Sequence, residues 1–503
     1  MKRMKRIWEF FLTVLLLICL YIVFFAEGYV IIKTVFGLLY IAVILYTIYS
    51  LMLENRTAQH TLLWIYVLIL FPFIGYMFYL YSGQLYLKGH LFKSKRKNDR
   101  DEWIRVSKQD EKPDFSDLKR HQQCFATHAH HITLTKINRH TGTKILKNGQ
   151  ETFPEIIRRL QEAKEYIHIQ YYIFRSDRLG KDIIDLLIKK ANEGVKVRFL
   201  FDGVGSLSLQ QYDIDRMKKA GILVEAFLPV RYGFFNQKLN FRNHRKIIVI
   251  DGKVGFVGGL NVGVEYLGED PDIGFWRDTH MVMEGEAVQV LHAIFLMDWE
   301  YVCGEDLLED SHLTEAYPSD GDGIVHVVAS GPDTQLGIMS DLYYSLISCA
   351  EKSIWIATPY FVPNEAIRTA LRVAAKKGVQ VRLMVPEIND GFLTQYATRS
   401  YFPELLRSGI EIYSYQKGFL HQKVIIIDGD TASIGTANMD MRSFHLNFEV
   451  NVFLLNTKSV NDLVEQYEED IEESTKVRPV EFYKRGLWER TKESFSRLFS
   501  GVL

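Results

Sequence analysis

Two short stretches hold the residues best suited to chemistry. The first has His244, Arg245 and Lys246, four apolar residues, then Asp251. The second has His421, Gln422 and Lys423, four apolar residues, then Asp428. Each leads into a glycine turn and an asparagine: Gly258, Gly259 and Asn261 in the first, Gly435, Thr436 and Asn438 in the second. An imidazole can attack phosphorus or move a proton at neutral pH. Ammonium and amide groups donate hydrogen bonds to an oxyanion. Two of each around one cavity suit covalent phosphoryl transfer. One imidazole attacks; the other protonates the leaving oxygen and later deprotonates the incoming hydroxyl. The lysines provide the charge stabilisation, so no metal and no cofactor is expected. Cys19, Cys124, Cys303 and Cys349 lack any ligand spacing, in keeping with that. One such motif is a weak signal. A second copy at the same spacing makes chance a poor explanation.

The elements that must position these groups can be read next. Ile247–Ile250 and Val424–Ile427 are β-branched runs, which predict buried strands. On the segment leading into each run, His and Lys alternate at period two and share one face. The duplication extends outwards. Residues 164–173 (KEYIHIQYYI) parallel 352–361 (KSIWIATPYF), and 194–200 (GVKVRFL) parallel 378–384 (GVQVRLM). Each half reads strand, helix, strand, over 166–174, 181–191 and 195–201, then 354–357, 365–377 and 379–385. That pattern predicts an α/β fold of two pseudo-symmetric sandwich domains, with the His pairs at the seam.

Asp251 and Asp428 lie beyond a four-residue strand from their histidines, a position suited to bracing the turns before Gly252 and Gly429. Later acids are better placed to orient the rings: Glu449 for His421, and Asp278, in the matching place, for His244. A carboxylate there fixes the tautomer and stabilises the imidazolium.

The first 83 residues differ in composition. Residues 10–26 are uncharged over 17 positions, and 34–53 and 62–81 over 20 each. About 20 apolar residues span a bilayer, so a helical transmembrane region of two or three spans is expected. Four Lys/Arg precede it and six lie within 88–100. With two spans both ends face the cytoplasm, and the unpatterned cysteines agree with a reducing side. The expected organisation is 1–83 membrane helices, 84–125 a charged tether, 126–315 and 316–480 the two halves, and 481–503 an amphipathic tail. In that tail Leu487, Trp488, Phe495, Leu498, Phe499 and Val502 share a helical face, which suits either the membrane interface or the domain core.

The doubled motif resembles that of the phospholipase D superfamily. Residues 240–251 (NFRNHRKIIVID), 274–280 (GFWRDTH), 358–367 (TPYFVPNEAI) and 418–451 (GFLHQKVIIIDGDTASIGTANMDMRSFHLNFEVN) resemble the bacterial cardiolipin synthases within it. The resemblance covers residues 60–480. It implies two phospholipase D-like domains and a phosphatidyltransferase acting on phosphatidylglycerol to give cardiolipin and glycerol. By the same resemblance His244 is the nucleophile and His421 the general acid and base, with the reverse assignment open. Lys246, Lys423, Asn261 and Asn438 hold phosphate oxygens, and Asp251 and Asp428 count among the catalytic residues. A phospholipase D releasing phosphatidic acid is the alternative, because only the acceptor differs. The formal net charge of −1 over 503 residues speaks against a nucleic-acid substrate. Oligomeric state is not legible.

Overall fold

The computed structural model describes residues 30–53, 58–71, 91–106, 113–229 and 241–501, apart from 272, 311, 335 and 336, with isolated positions between 15 and 22 and at 75, 238 and 240. The chain divides into two compact units, residues 1–91 with 232–240 and residues 92–231 with 241–503.

The first unit holds helices α1 (Val30–Met52) and α2 (Ala58–Leu70). At 1.5 Å per residue, the 23 residues of α1 reach about 35 Å, enough to cross a hydrocarbon core. Among the described residues it is the one helix long and apolar enough to do so. The expected span over 34–53 coincides with α1. That over 62–81 is helical as far as Leu70, beyond which most of it lies outside the described residues. The span over 10–26 lies outside them but for single positions.

The second unit opens with α3 (Lys93–Val106) and α4 (Arg120–Ile132). Its first half comprises β1 (Thr141–Lys147), α5 (Asn148–Glu162), β2 (Tyr166–Tyr171), α6 (Arg178–Asn192), β3 (Lys196–Asp202), α7 (Gln211–Lys219), β4 (Leu223–Phe227), β5 (Ile247–Ile250), β6 (Val254–Gly258), β7 (Phe275–Arg277), β8 (Thr279–Gly285) and α8 (Ala287–Cys303). The second half comprises β9 (Ile324–Ser330), α9 (Ile338–Cys349), β10 (Ser353–Ala357), β11 (Phe361–Val362), α10 (Glu365–Lys376), β12 (Gln380–Pro386), α11 (Phe392–Ser400), α12 (Phe402–Arg407) and β13 (Glu411–Tyr415). It continues with β14 (Gly418–Leu420), β15 (Val424–Ile427), β16 (Thr431–Gly435), β17 (Met439–Asp440), α13 (Met441–His445), β18 (Glu449–Leu455), α14 (Lys458–Glu472), β19 (Ser474–Lys476), α15 (Pro479–Tyr483) and α16 (Leu487–Arg497).

The two large sheets repeat one topology. The first runs β1-β8-β6-β5-β2-β3-β4; the second, read backwards, runs β9-β18-β16-β15-β10-β12-β13 and adds β19 at its edge. In each, β2 or β10 pairs in parallel with the strand after its helix and antiparallel with the motif strand. The motif strands β5 and β15 are buried throughout, as their β-branched runs predict. Long helices α8 and α14 lie against their own sheets, and each also touches the first strand of the opposite half.

The segment expected to be a charged tether is instead partly built into the fold. Phe92, Lys95, Asp99 and Trp103 recur at helical spacing on the buried side of α3, while Lys93, Lys97 and Arg100 face solvent. Helix α4 sends Phe125, Ala126 and Ala129 into the core of the second half, not the first. Its Cys124 forms a disulfide with Cys349 at the end of α9. The boundary expected at residue 126 therefore falls inside a helix, and the first half begins at β1. The bond also removes the cysteine argument for a reducing side, since disulfides persist in oxidising compartments. In the tail, α16 buries Glu493 and Ser496 and leaves Leu487 and Trp488 79% and 70% exposed. It packs by its polar side.

Candidate active site

Each motif strand is reached through a segment that pairs in parallel with the opposite half or crosses to it. Asn243 bridges Phe448; the His244 amide donates to the Phe448 carbonyl at 2.9 Å, and the Phe448 amide to the Arg242 carbonyl at 2.9 Å. In the second motif β14 pairs in parallel with β7, Phe419 opposite Trp276, and the His421 amide donates to the Arg277 carbonyl at 2.7 Å. One residue further along each pair lie the acids. His244 Nδ1 is 2.8 Å from Glu449 Oε2, and His421 Nδ1 is 2.7 Å from Asp278 Oδ2. The pairing expected from the sequence, Glu449 with His421 and Asp278 with His244, is thus exchanged. The reason is the parallel ladder: a histidine meets the acid that follows the segment paired with it, and that segment belongs to the other half.

Both carboxylates are completely buried. Glu449 accepts from Ser443 Oγ at 2.9 Å and Asn447 Nδ2 at 3.2 Å through Oε1, leaving Oε2 for the ring. Asp278 accepts from the Thr279 amide at 2.8 Å. A carboxylate at Nδ1 places the ring proton there and leaves Nε2 unprotonated for chemistry. Gly259 makes room for Asp278, since a Cβ at this position would lie 2.1 Å from Asp278 Oδ1. Aromatic rings flank both histidines: Tyr172 lies 4.9 Å from His244, and Trp276 5.0 Å from His421.

The lysines turn back onto their own motifs. Lys246 Nζ donates to the His244 carbonyl at 2.8 Å, and Lys423 Nζ to the His421 carbonyl at 2.5 Å. Burial governs the electrostatics. It pushes the His244 imidazole down to about 4 and the His421 imidazole to about 3, against the opposing pull of Glu449 and Asp278. It pushes Lys423 down to about 8 and Lys246 well below the ordinary lysine value. Burial also works against the acids, but Lys423 and His421 outweigh it at Asp278, and His244 and Lys246 outweigh it at Glu449, so both stay ionised. Lys423 depresses His244 and Lys246 depresses His421, so the motifs share one electrostatic site. In this state both rings are neutral, and an incoming anion favours protonation of the surrounding imidazoles and amines.

The other expected residues separate. Asn261 is buried in the scaffold: Oδ1 accepts from the Ile173 amide at 3.1 Å and Nδ2 donates to the Tyr266 hydroxyl at 3.2 Å. Asn438 is buried, and its Oδ1 has no hydrogen-bond partner among the described residues. Asp251 and Asp428 are corrected as catalytic groups. Seven residues from its histidine along an extended chain, each lies roughly 20 Å away. Asp251 accepts from the amides of Lys164, Glu165 and Tyr166, each at 2.8 Å, and Asp428 from those of Glu351, Lys352 and Ser353 at 2.7–2.9 Å. They sit in hairpin turns with φ of 51° and 54°, followed by Gly252 and Gly429 at 65° and 73°. This is the Asp-Gly turn that matches strand twist. They brace the start of β2 and β10, as their distance from the motif histidines suggests.

Arg245 was not singled out from the sequence. Fully buried, it binds both oxygens of Asp298 at 2.8 Å and donates to the Glu449 carbonyl at 3.1 Å. A charged side chain inside a motif otherwise destined for burial was the available signal, as was an acid midway along the apolar helix α8. Arg277 does the same on the other side, donating to Asp470 at 2.8 Å and to the Asp278 carbonyl at 2.7 Å.

Comparisons with known proteins agree with this geometry. Residues 156–299 and 343–473 match the family model described as cardiolipin synthase, PLD-like domain. Residues 38–84 match the phospholipase D-nuclease N-terminal model. The chain is 59% identical to the probable cardiolipin synthase YwiE of Bacillus subtilis, over 99% of this chain and all of that one. It is 48% identical to the cardiolipin synthase of Halalkalibacterium halodurans, over 90% of each chain. Among solved structures, phosphatidylserine synthase of Haemophilus influenzae shares the fold, with a TM-score of 0.56 at 14% identity over 76% of this chain and all of that one. Family, fold and the two crossed histidine–carboxylate pairs converge: the chain belongs to the bacterial cardiolipin synthases of the phospholipase D superfamily.

Proposed function

We propose that this membrane-associated phosphatidyltransferase makes cardiolipin in two displacements at one seam. The supporting observation is that each motif histidine hydrogen-bonds a fully buried carboxylate of the opposite half. His244 Nε2 attacks the phosphorus of one phosphatidylglycerol. His421 gives a proton to the departing glycerol oxygen, and a phosphatidyl-histidine remains. The terminal hydroxyl of a second phosphatidylglycerol gives its proton to His421 and attacks the same phosphorus. Cardiolipin leaves and His244 is restored. Lys246, Lys423 and Asn438 hold the non-bridging oxygens, with Asn261 supporting the wall behind them. One phosphodiester replaces another, so the equilibrium stays near balance.

The test is a product assay on the full chain in phosphatidylglycerol mixed micelles, with His244→Ala and His421→Ala alongside. Cardiolipin and glycerol from the wild type, lost in both variants, support the reading. Phosphatidic acid alone assigns the acceptor site to water. His421→Ala denatured in detergent at neutral pH and carrying labelled phosphatidyl on His244 supports the nucleophile assignment; label on His421 in His244→Ala reverses it.

Multi-pass anchoring and a cytoplasmic catalytic region rest on the uncharged runs and the Lys/Arg counts at both ends of the membrane region. The Cys124–Cys349 bond argues for the opposite side. Cys303 is a free, exposed thiol. Its labelling by a membrane-impermeant maleimide in intact cells signifies an outward-facing domain; protection until lysis signifies the cytoplasm.

A further inference from the structure

Helix α3, the first described helix after the membrane region, places an ammonium in the interior of the catalytic unit. Lys95 is 3% exposed. Its Nζ lies 2.6 Å from Asp99, 3.1 Å from Asp298 and 3.1 Å from Asp333. Asp298 and Asp333 are also the acids that face Arg245, at 2.8 and 3.5 Å. Arg245 in turn donates to the Glu449 carbonyl at 3.1 Å, and Glu449 holds His244 at 2.8 Å. Just before α3, Phe92 packs edge-on against Phe241 and Phe448, each at 5.1 Å. Those two rings flank the His244 motif and Glu449.

We propose that Lys95 is a positioning residue for the His244–Glu449 pair, acting through Asp298, Asp333 and Arg245, so that the docked α3 completes the active site. The inference rests on the transferase reading above. The physical reason is charge balance. Two cations, Lys95 and Arg245, share Asp298 and Asp333. Asp99 adds to them from the same helix, with burial working against its ionised form. Burial pushes Lys95 down, but the three carboxylates outweigh it and keep it protonated. Without Lys95 one guanidinium faces two buried carboxylates. Arg245 is then drawn toward Asp333, away from the Glu449 carbonyl, and the acid behind His244 shifts.

The experiment compares Lys95→Met, Asp333→Asn and the double variant as full chains in mixed micelles, with kcat, KM and thermal unfolding measured for each. Lys95→Met is expected to lower kcat about tenfold or more with KM within about twofold, since small misplacements of catalytic groups are costly. The double variant removes one cation and one acid together, and is expected to recover to within about threefold of wild-type kcat. A role confined to docking α3 would give no such recovery. Wild-type kcat in Lys95→Met overturns the proposal, as does a folded double variant as slow as the single. If Lys95→Met does not fold, the folded double variant decides by the same criterion. A wild type that releases phosphatidic acid overturns the acceptor assignment instead, and the same variants are then compared on that product.

Discussion

The two half-sites are built alike and braced differently. In both, a buried carboxylate from the opposite half orients the imidazole. In both, an arginine of the first half holds that acid's backbone carbonyl and is itself held by an aspartate of a long helix. Around His421 the bracing is one arginine, Arg277, and one acid, Asp470, with Gln422 as a neutral third partner at 3.1 Å. Around His244 it is Arg245 with two acids and the added ammonium of Lys95. Among the described residues, the His421 side closes on the two halves alone. The His244 side needs a helix from outside the duplicated core. The two halves supply the chemistry twice; the N-terminal helix α3 acts on one copy.

The largest effects are expected where the comparison is symmetrical. Asp278→Asn and Glu449→Gln keep shape but lose the charge that stabilises an imidazolium. Each is expected to lower kcat roughly a hundred- to ten-thousand-fold with a smaller change in KM, by analogy with other histidine-orienting acids. The crossed pairing makes a sharper claim. In double-mutant cycles Asp278→Asn should couple to a substitution of His421 and Glu449→Gln to one of His244. Equal coupling within each half would break the comparison.

The next effect concerns pH and separates the motif lysines from the imidazoles. His244 attacks only when unprotonated, and its pKa lies at about 4, so kcat/KM is lost as pH falls through about 4. Lys423 stabilises the phosphoryl group only when protonated, and burial brings it down to about 8, so kcat/KM is lost as pH rises through about 8. An unperturbed lysine would place that limb above pH 10. Lys246 is depressed further and already donates to the His244 carbonyl, and His421 takes up its proton with the incoming anion, so Lys423 is the group expected to set the alkaline limb. Lys423→Met is expected to lower kcat/KM and abolish that limb. An alkaline limb unchanged in position would remove Lys423 from the assignment.

A smaller effect is expected at the turn acids. Asp251→Asn and Asp428→Asn each weaken three hydrogen bonds from backbone amides, which costs about 1–3 kcal/mol of stability. Activity per folded molecule and the pH profile should stay as in the wild type. A hundredfold loss of kcat at unchanged stability would return these residues to the catalytic set.

Much of this was legible because the repeats share a register. The β-branched runs after each His-x-Lys give β5 and β15, and the parallel segments 164–173 and 352–361 give β2 and β10. The acids Asp278 and Glu449 were also legible as candidates. Their partners were not, because pairing across the seam depends on the ladders Asn243–Phe448 and β14–β7, which no local pattern reveals. Helix α3 was read as part of a charged tether for a related reason. Its buried stripe of Phe92, Lys95, Asp99 and Trp103 has two charges, and only the facing aspartates and Arg245 make their burial favourable. A charge partner far away in sequence leaves no periodic trace.

The smallest effect belongs to the tail, where the sequence left two readings. Helix α16 packs on α11 through Glu493, which faces Arg399 at 3.8 Å, and through Lys492, which donates to the Tyr396 hydroxyl at 3.1 Å. Its polar side is therefore taken, and Leu487, Trp488, Phe495 and Leu498 face outward. Aromatic and aliphatic side chains with nearby Lys and Arg suit the interface of an anionic bilayer. Exchanging Leu487, Trp488 and Phe495 for serine should raise the apparent KM for phosphatidylglycerol in bilayers a few-fold. The kcat on short-chain, monomerically dispersed substrate should not change, since none of the three touches the seam. A fall in that kcat, with bilayer KM unchanged, would mean that the tail supports the fold and not the surface on which the fold works.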